Sequence, residues 1–176
     1  MDNIYDYTVP TFAKLLGGLK NVLQKAKEHG VDETKLLQDR LAPDMFPLVK
    51  QVQVACDQAK GAVARLSGTE VPKFEDNEAT IAELQARIDK TIEFINSVPK
   101  EAFANAAQQK ITLPYFPGKF LSGFDYAREY AIPNFFFHIT MAYGLVRKND
   151  VPVGKADFVV SLPLQDVENL ESSEAI

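Results

Sequence analysis

Two polar side chains, Asn134 and His138, are spaced i, i+4 within an otherwise apolar segment, AREYAIPNFFFHITMAYGLV. That spacing puts them on one face of a helix, beside each other. Advancing about 100° per residue, Ala127, Tyr130, Ala131, Asn134, His138, Met141, Ala142 and Leu145 form that face, with the polar pair at its centre. Buried amide and imidazole groups left unpaired cost roughly 1 to 3 kcal/mol each. The pair must therefore bond to each other, to a neighbouring backbone or to a ligand. His138 is the best candidate for acid–base work, because an imidazole changes charge near neutral pH. On an earlier segment, Gln51 and Gln53 flank an apolar stripe on opposite sides, so one of them is expected to lean inward. Gln51, with Leu48 and Ala55 as face neighbours, is the better candidate.

Other reactive types have plainer readings. Cys56 falls on the stripe Met45, Leu48, Val49, Val52, Ala55, Cys56, Ala59, Val63 and Leu66, and reads as a small buried hydrophobe. Asp57 and Lys60 have the i, i+3 spacing of a solvated surface pair. His29, at the end of the first helical pattern, suits that helix's negative terminus. A catalytic metal in a helical bundle calls for three or more His or carboxylate ligands, and the chain has two histidines. Phosphate loops, dinucleotide fingerprints, HExxH and GxSxG motifs are missing from the sequence, and Gly17-Gly18 lies inside a helical pattern.

Four long helices must position these groups. The first is expected from about Thr8, as N-cap, to Gly30, with Pro10 in its opening turn. A short helical turn, DETKLLQDRL, follows. Asp44 caps the second long helix, which tolerates Pro47 early and ends near Gly68. Ile81, Leu84, Ile88, Ile92 and Ile95 mark the third, ending before Pro99. KITLPYFPGKFLSG, with β-branched and aromatic residues around a Pro-Gly turn, is expected as a small hairpin or extended excursion. Ser122 caps the fourth helix, with Asp125 placed to complete a capping box, and Pro133 should kink or break it. Residues 1–160 are read as one domain and 161–176, with acids but no Lys or Arg, as a poorly ordered tail. The opposite face of the fourth helix is also apolar through Ile132, Phe136, Ile139 and Tyr143. It is either roofed by the hairpin and C-terminal segment or buried against a second copy, and a two-fold dimer is preferred.

Composition limits the function classes. With 46% hydrophobic and 24% charged residues in 176, the chain has the make-up of an ordinary folded domain. No apolar run approaches the roughly 20 residues that span a bilayer, so no membrane partner is expected. A net charge of −5 without a basic cluster argues against nucleic acid. One cysteine and an acidic, polar N-terminus make the cytoplasm the default location.

Three runs carry a resemblance: RLAPDMFPLVKQVQVACDQAKG, VPKFEDNEATIAELQARI and IPNFFFHITMAYGLVRKNDVPVGKADF. From about Tyr7 to Phe158 the chain resembles a domain-of-unknown-function family within the DinB-like (YfiT-like) superfamily. The resemblance implies an all-α, antiparallel up-down-down-up four-helix bundle, often dimeric, whose better-known relatives bind a divalent metal through three histidines. Some relatives are S-transferases or isomerases that use low-molecular-weight thiols. The superfamily's fourth-helix pattern, similar to HxxxHRGQL, aligns its second histidine with His138 and its first with Asn134. Its helix-two histidine falls around Gln51 or Gln53. The triad thus becomes Gln, Asn and His. Neutral amides are weak ligands, so tight metal binding is not expected. Two functions follow as expectations. One is a dimeric small-molecule-binding or structural module with a Gln51, Asn134 and His138 polar cluster. The other is a metal-dependent thiol S-transferase with His138 in the site.

Overall fold

The computed structural model describes residues 4–167. Helix α1 spans Ile4–His29, starting a turn before the expected Thr8 cap. Ile4, Thr8, Val9 and Phe12 are all buried, and this burial extends the helix upstream despite Pro10 within it. Thr8 is not a cap: its buried hydroxyl donates to the Ile4 carbonyl at 2.6 Å. Gly30, at φ +77°, ends the helix as expected. Asp32 caps the short α2, Glu33–Gln38, by accepting from the Lys35 N–H.

Helix α3 covers Leu48–Ser67, with Pro47 in the N-cap position and Asp44 and Met45 outside it. The expected Asp44 cap is replaced by the Asp39 carbonyl, which accepts from the Leu48 N–H at 3.0 Å. Pro47 has no N–H and its extended backbone cannot continue a helix upstream, so the helix starts after it. Gly68, in left-handed conformation, closes α3. Helix α4, Ile81–Ser97, opens on a complete Thr80–Glu83 capping box.

Two 3₁₀ turns, Lys100–Phe103 and Ala106–Gln108, lead into the expected hairpin. Strand β1, Lys110–Ile111, pairs antiparallel with β2, Leu121–Ser122. Ser122 then caps α5, Gly123–Asp125, accepting from the Asp125 N–H at 3.1 Å. The Asp125 carboxylate answers the Ser122 hydroxyl, at 2.6 Å, so the box is only half formed.

A six-residue π turn, Tyr126–Ala131, precedes α6, Ile132–Lys148. It accounts for Pro133. The wider turn accommodates the ring and its missing donor where an α-turn would have kinked. It also turns the expected stripe: Phe135 and Ile139 come fully inside beside Ala131, His138 and Ala142, while Asn134 is left half-buried. The last element, α7, is Lys155–Val159. Of the expected tail, residues 161–167 are described and mostly exposed, with the Ser161 carbonyl accepting from Lys14. Residues 168–176 lie outside the described residues.

The contacts fix the topology. Gln85 of α4 reaches Lys20 and Gln24 of α1, while Lys100, just past α4, pairs with Asp6, so α1 and α4 are antiparallel. Gln51 meets His138 and Arg65 meets Tyr126, so α3 and α6 are antiparallel. The α3 terminus at Leu66 and Gly68 lies near Ala106 and Gln109 beyond the α4 terminus, so α3 and α4 run parallel. This is the up-down-down-up bundle. Its two parallel helices require residues 69–80 to run back over the α3–α4 seam as a strap. The core is shared by all four long helices, with Phe12 of α1 against Phe135 of α6 at 4.4 Å between ring centroids.

Candidate functional site

His138, 8% exposed, projects from α6 toward α3, and its Nδ1 lies 2.8 Å from the Gln51 Oε1. The Gln51 amide nitrogen donates to the Phe46 carbonyl at 3.2 Å. This second bond decides the tautomer. The Gln51 NH₂ is already engaged, so its oxygen faces the imidazole and Nδ1 must carry the proton. Burial lowers the His138 pKa below its ordinary value, keeping the ring neutral. Phe46 stacks on the imidazole at 6.4 Å and Phe137 meets it edge-on at 5.2 Å. Nε2 thus carries the ring's free lone pair, with no hydrogen bond among the described residues. It can accept a hydrogen bond from a ligand or a proton from an acid.

The sequence-predicted cluster is only partly assembled. Gln51 and His138 come together. Asn134, one turn earlier, makes no side-chain hydrogen bond among the described residues. Gln53 is buried as well, contrary to the expectation that only one glutamine leans inward, but on the other side of α3, where its amide donates to Glu78 at 2.8 Å. The strap makes the difference: it covers the flank of α3 that a bare four-helix bundle would leave to solvent. His29 sits exposed at the end of α1 beside Lys25 and Pro152, apart from His138.

Of the apolar face assigned to a dimer, Ile139 is buried within the chain, and Tyr143 packs against Phe158 of α7 at 5.8 Å. The C-terminal segment therefore roofs that half of the stripe. Ile132 and Phe136 remain half-buried against the core. Gly18 permits the roof, since a Cβ there would lie 2.6 Å from the Val160 side chain.

A second polar cluster went unpredicted. Arg87, nearly fully buried on α4, pairs with Asp57 at 2.9 Å, Asp76 at 2.9 Å and Glu78 at 2.9 Å, and donates to the Glu75 carbonyl. Lys60, expected on the surface with Asp57, is buried too, donating to the Pro72 carbonyl while keeping the Asp57 pair. This network pins the strap to the α3–α4 seam. Burial pushes the nearby Cys56 thiol up to about 12, which agrees with its reading as a buried hydrophobe. The signal in the sequence was an arginine inside the Leu84–Ile88–Ile95 stripe facing an acidic connection, FEDNE.

The metal chemistry implied by the resemblance can be tested on these donors. Around His138 the set is one imidazole and the carboxamides of Gln51 and Asn134, and the imidazole Nδ1 is already bound to one of those amides. Among the described residues no three His, Cys, Asp or Glu side chains gather as a metal set. These residues do not fit a tightly held transition ion.

The up-down-down-up bundle with its long strap and inward polar residues on α3 and α6 defines a DinB-like architecture. The chain belongs to the DUF1993 family, a domain of unknown function whose profile matches residues 4–159. It is similar to the crystal structure of a DinB family member protein from Shewanella denitrificans, with 45% identity over 92% of this chain and 94% of that one, at a TM-score of 0.89. No curated protein matches it.

Proposed function

We propose that this protein is a binding module: a DinB-like bundle that has exchanged a metal centre for a neutral Gln51–His138 pair serving as a polar anchor between α3 and α6. The observation that carries the reading is the 2.8 Å bond from His138 Nδ1 to an amide already tied to the Phe46 carbonyl. Such a chain of bonds fixes the ring and leaves a single acceptor, Nε2, while burial favours the neutral form. A binding role needs that much. A metal role needs ligands that Gln51 and Asn134 replace poorly.

The test is elemental analysis of protein purified without a polyhistidine tag, wild type beside His138→Ala. The reading expects no stoichiometric zinc, nickel or iron in either. Near-stoichiometric metal in wild type, lost in the variant, would overturn it in favour of a metal-dependent thiol S-transferase. The reading includes a homodimer, now restricted to the part of the α6 outer face that the chain leaves half-covered, Ile132 and Phe136. Sedimentation equilibrium of wild type and Phe136→Glu checks it: the variant is expected to be monomeric.

A further inference from the structure

Against the β1–β2 hairpin lies a hollow of about 370 Å³, lined by Ile111, Leu113, Phe116, Leu121 and Tyr130, with the exposed Lys119 also in its wall. Its volume is near the lower end of the roughly 300–1,000 Å³ usual for small-molecule sites, and its wall is almost wholly apolar, as such sites are. Phe116 and Phe120, which both line it, remain half exposed, at 50% and 57%. Aromatic surface of this kind is costly to leave in water and is concentrated here on one short element.

Charge selects the occupant. In a chain of net charge −5, the hairpin KITLPYFPGKFLS has two lysines and no acid. The Lys110 ammonium lies over the Phe120 ring at 5.0 Å. Arg65 lines the adjoining hollow together with Lys119. The one carboxylate lining the cavity, Glu129, is paired at 2.9 Å with Arg128, which Asp125 also approaches at 3.7 Å. Lys119 makes no ion pair among the described residues. An exposed ammonium without an ion pair in the wall of an apolar hollow fits a small molecule with an apolar body and an anionic head.

We propose that this hollow binds a small amphipathic anion, its apolar body against Ile111, Leu113, Leu121 and Tyr130 and its head group on Lys119. The inference rests on the binding-module reading only in expecting a ligand; the site is separate from His138. Its chemistry would be shared by a free carboxylate and by a carboxylate or phosphate on a larger carrier.

Calorimetric titration of the full chain with octanoate, octyl phosphate, octanol and octylammonium tests it, with nuclear magnetic resonance shifts of Ile111, Leu113 and Tyr130 locating the site. The proposal expects saturable binding of octanoate, octyl phosphate or both, shifts at those residues, and affinity for octanol and octylammonium lower by about tenfold or more. Which anion binds more tightly assigns the head group as carboxylate or phosphate. Lys119→Glu, at an exposed position that leaves the fold intact, should abolish anion binding, while the charge control Lys155→Glu on α7 should not. No saturable binding of either anion, equal affinity for octanol, shifts located elsewhere, or unchanged binding by Lys119→Glu would each overturn the proposal. Metal analysis at His138 is independent: a metal found there would refute the anchor reading and leave the hairpin result standing.

Discussion

Replacing Gln51 with leucine should isolate the energetic role of the His138 anchor. Gln51 is 1% exposed and makes two bonds, to His138 Nδ1 and to the Phe46 carbonyl. Phe46 is half exposed, so water can take over its carbonyl. Nδ1 has no such recourse. If it keeps its proton it is a buried unpaired donor, and if the ring changes tautomer it becomes a buried unpaired acceptor. Either state costs about 1–3 kcal/mol, and leucine fills nearly the same volume, so Gln51→Leu should destabilise by about 2 kcal/mol. His138→Leu should cost a similar amount by stranding the Gln51 oxygen. The double variant removes both polar groups and should cost about 2–3 kcal/mol against a sum of about 4, giving a coupling of about 1–2 kcal/mol. Chemical denaturation followed by circular dichroism, with unchanged denaturant slopes, measures all four proteins. Additivity to within about 0.3 kcal/mol would refute the hydrogen-bonded pair as an anchor. Histidine ¹⁵N shifts showing the proton on Nε2 would refute the tautomer derived from the Phe46 bond.

The remaining predictions follow from burial and charge. Because burial lowers the folded pKa of His138 below the ordinary 6.5, the unfolded chain binds the extra proton first. Stability contributed by the neutral ring is thus complete above about 6.5 and declines as pH falls from there through the lowered value; His138→Gln should flatten a pH series of denaturation midpoints across that window. Arg87→Met leaves Glu78, whose side chain is 9% exposed, without its cation, while Asp57 keeps Lys60 and Asp76 keeps Lys50, and should cost about 3 kcal/mol. In wild type Cys56, with its thiol at about 12, should resist a thiol reagent until unfolding, whereas Arg87→Met should speed labelling by loosening the strap; rapid labelling of native wild type would contradict the buried assignment. A Cβ at Gly123 collides with the Ala106 carbonyl oxygen, so Gly123→Ala should lower thermal stability by about 2–3 kcal/mol. Gly17 faces open space within α1, and Gly17→Ala should gain about 0.5–1 kcal/mol in the same assay.

Much of the scaffold is legible in the sequence because it depends on local rules. Helical periodicity located all four long helices, glycine at positive φ ended two of them at Gly30 and Gly68, and Pro-Gly chemistry marked the hairpin. Local rules failed where a distant contact decided the outcome. The start of α1 moved upstream because Ile4 is buried in the core. The cap of α3 passed from the neighbouring Asp44 to the carbonyl of Asp39. The first outcome turns on tertiary burial, and the second on a nine-residue loop whose fold brings the Asp39 carbonyl back to Leu48.

The same division runs through the site. The sequence alone pointed Gln51 and His138 toward the bundle interior, which residue type and a 3.6-residue period suggest, and both are buried. Only the tertiary structure decided which partners they meet. One π turn rotated Asn134 out of the cluster and brought Phe135 in. The strap buried Gln53, Lys60 and Arg87 together, and α7 covered Tyr143. Periodicity gives the direction in which a side chain points from its own helix, whereas a hydrogen bond depends on the register between two helices, and that register is set by packing of the whole bundle.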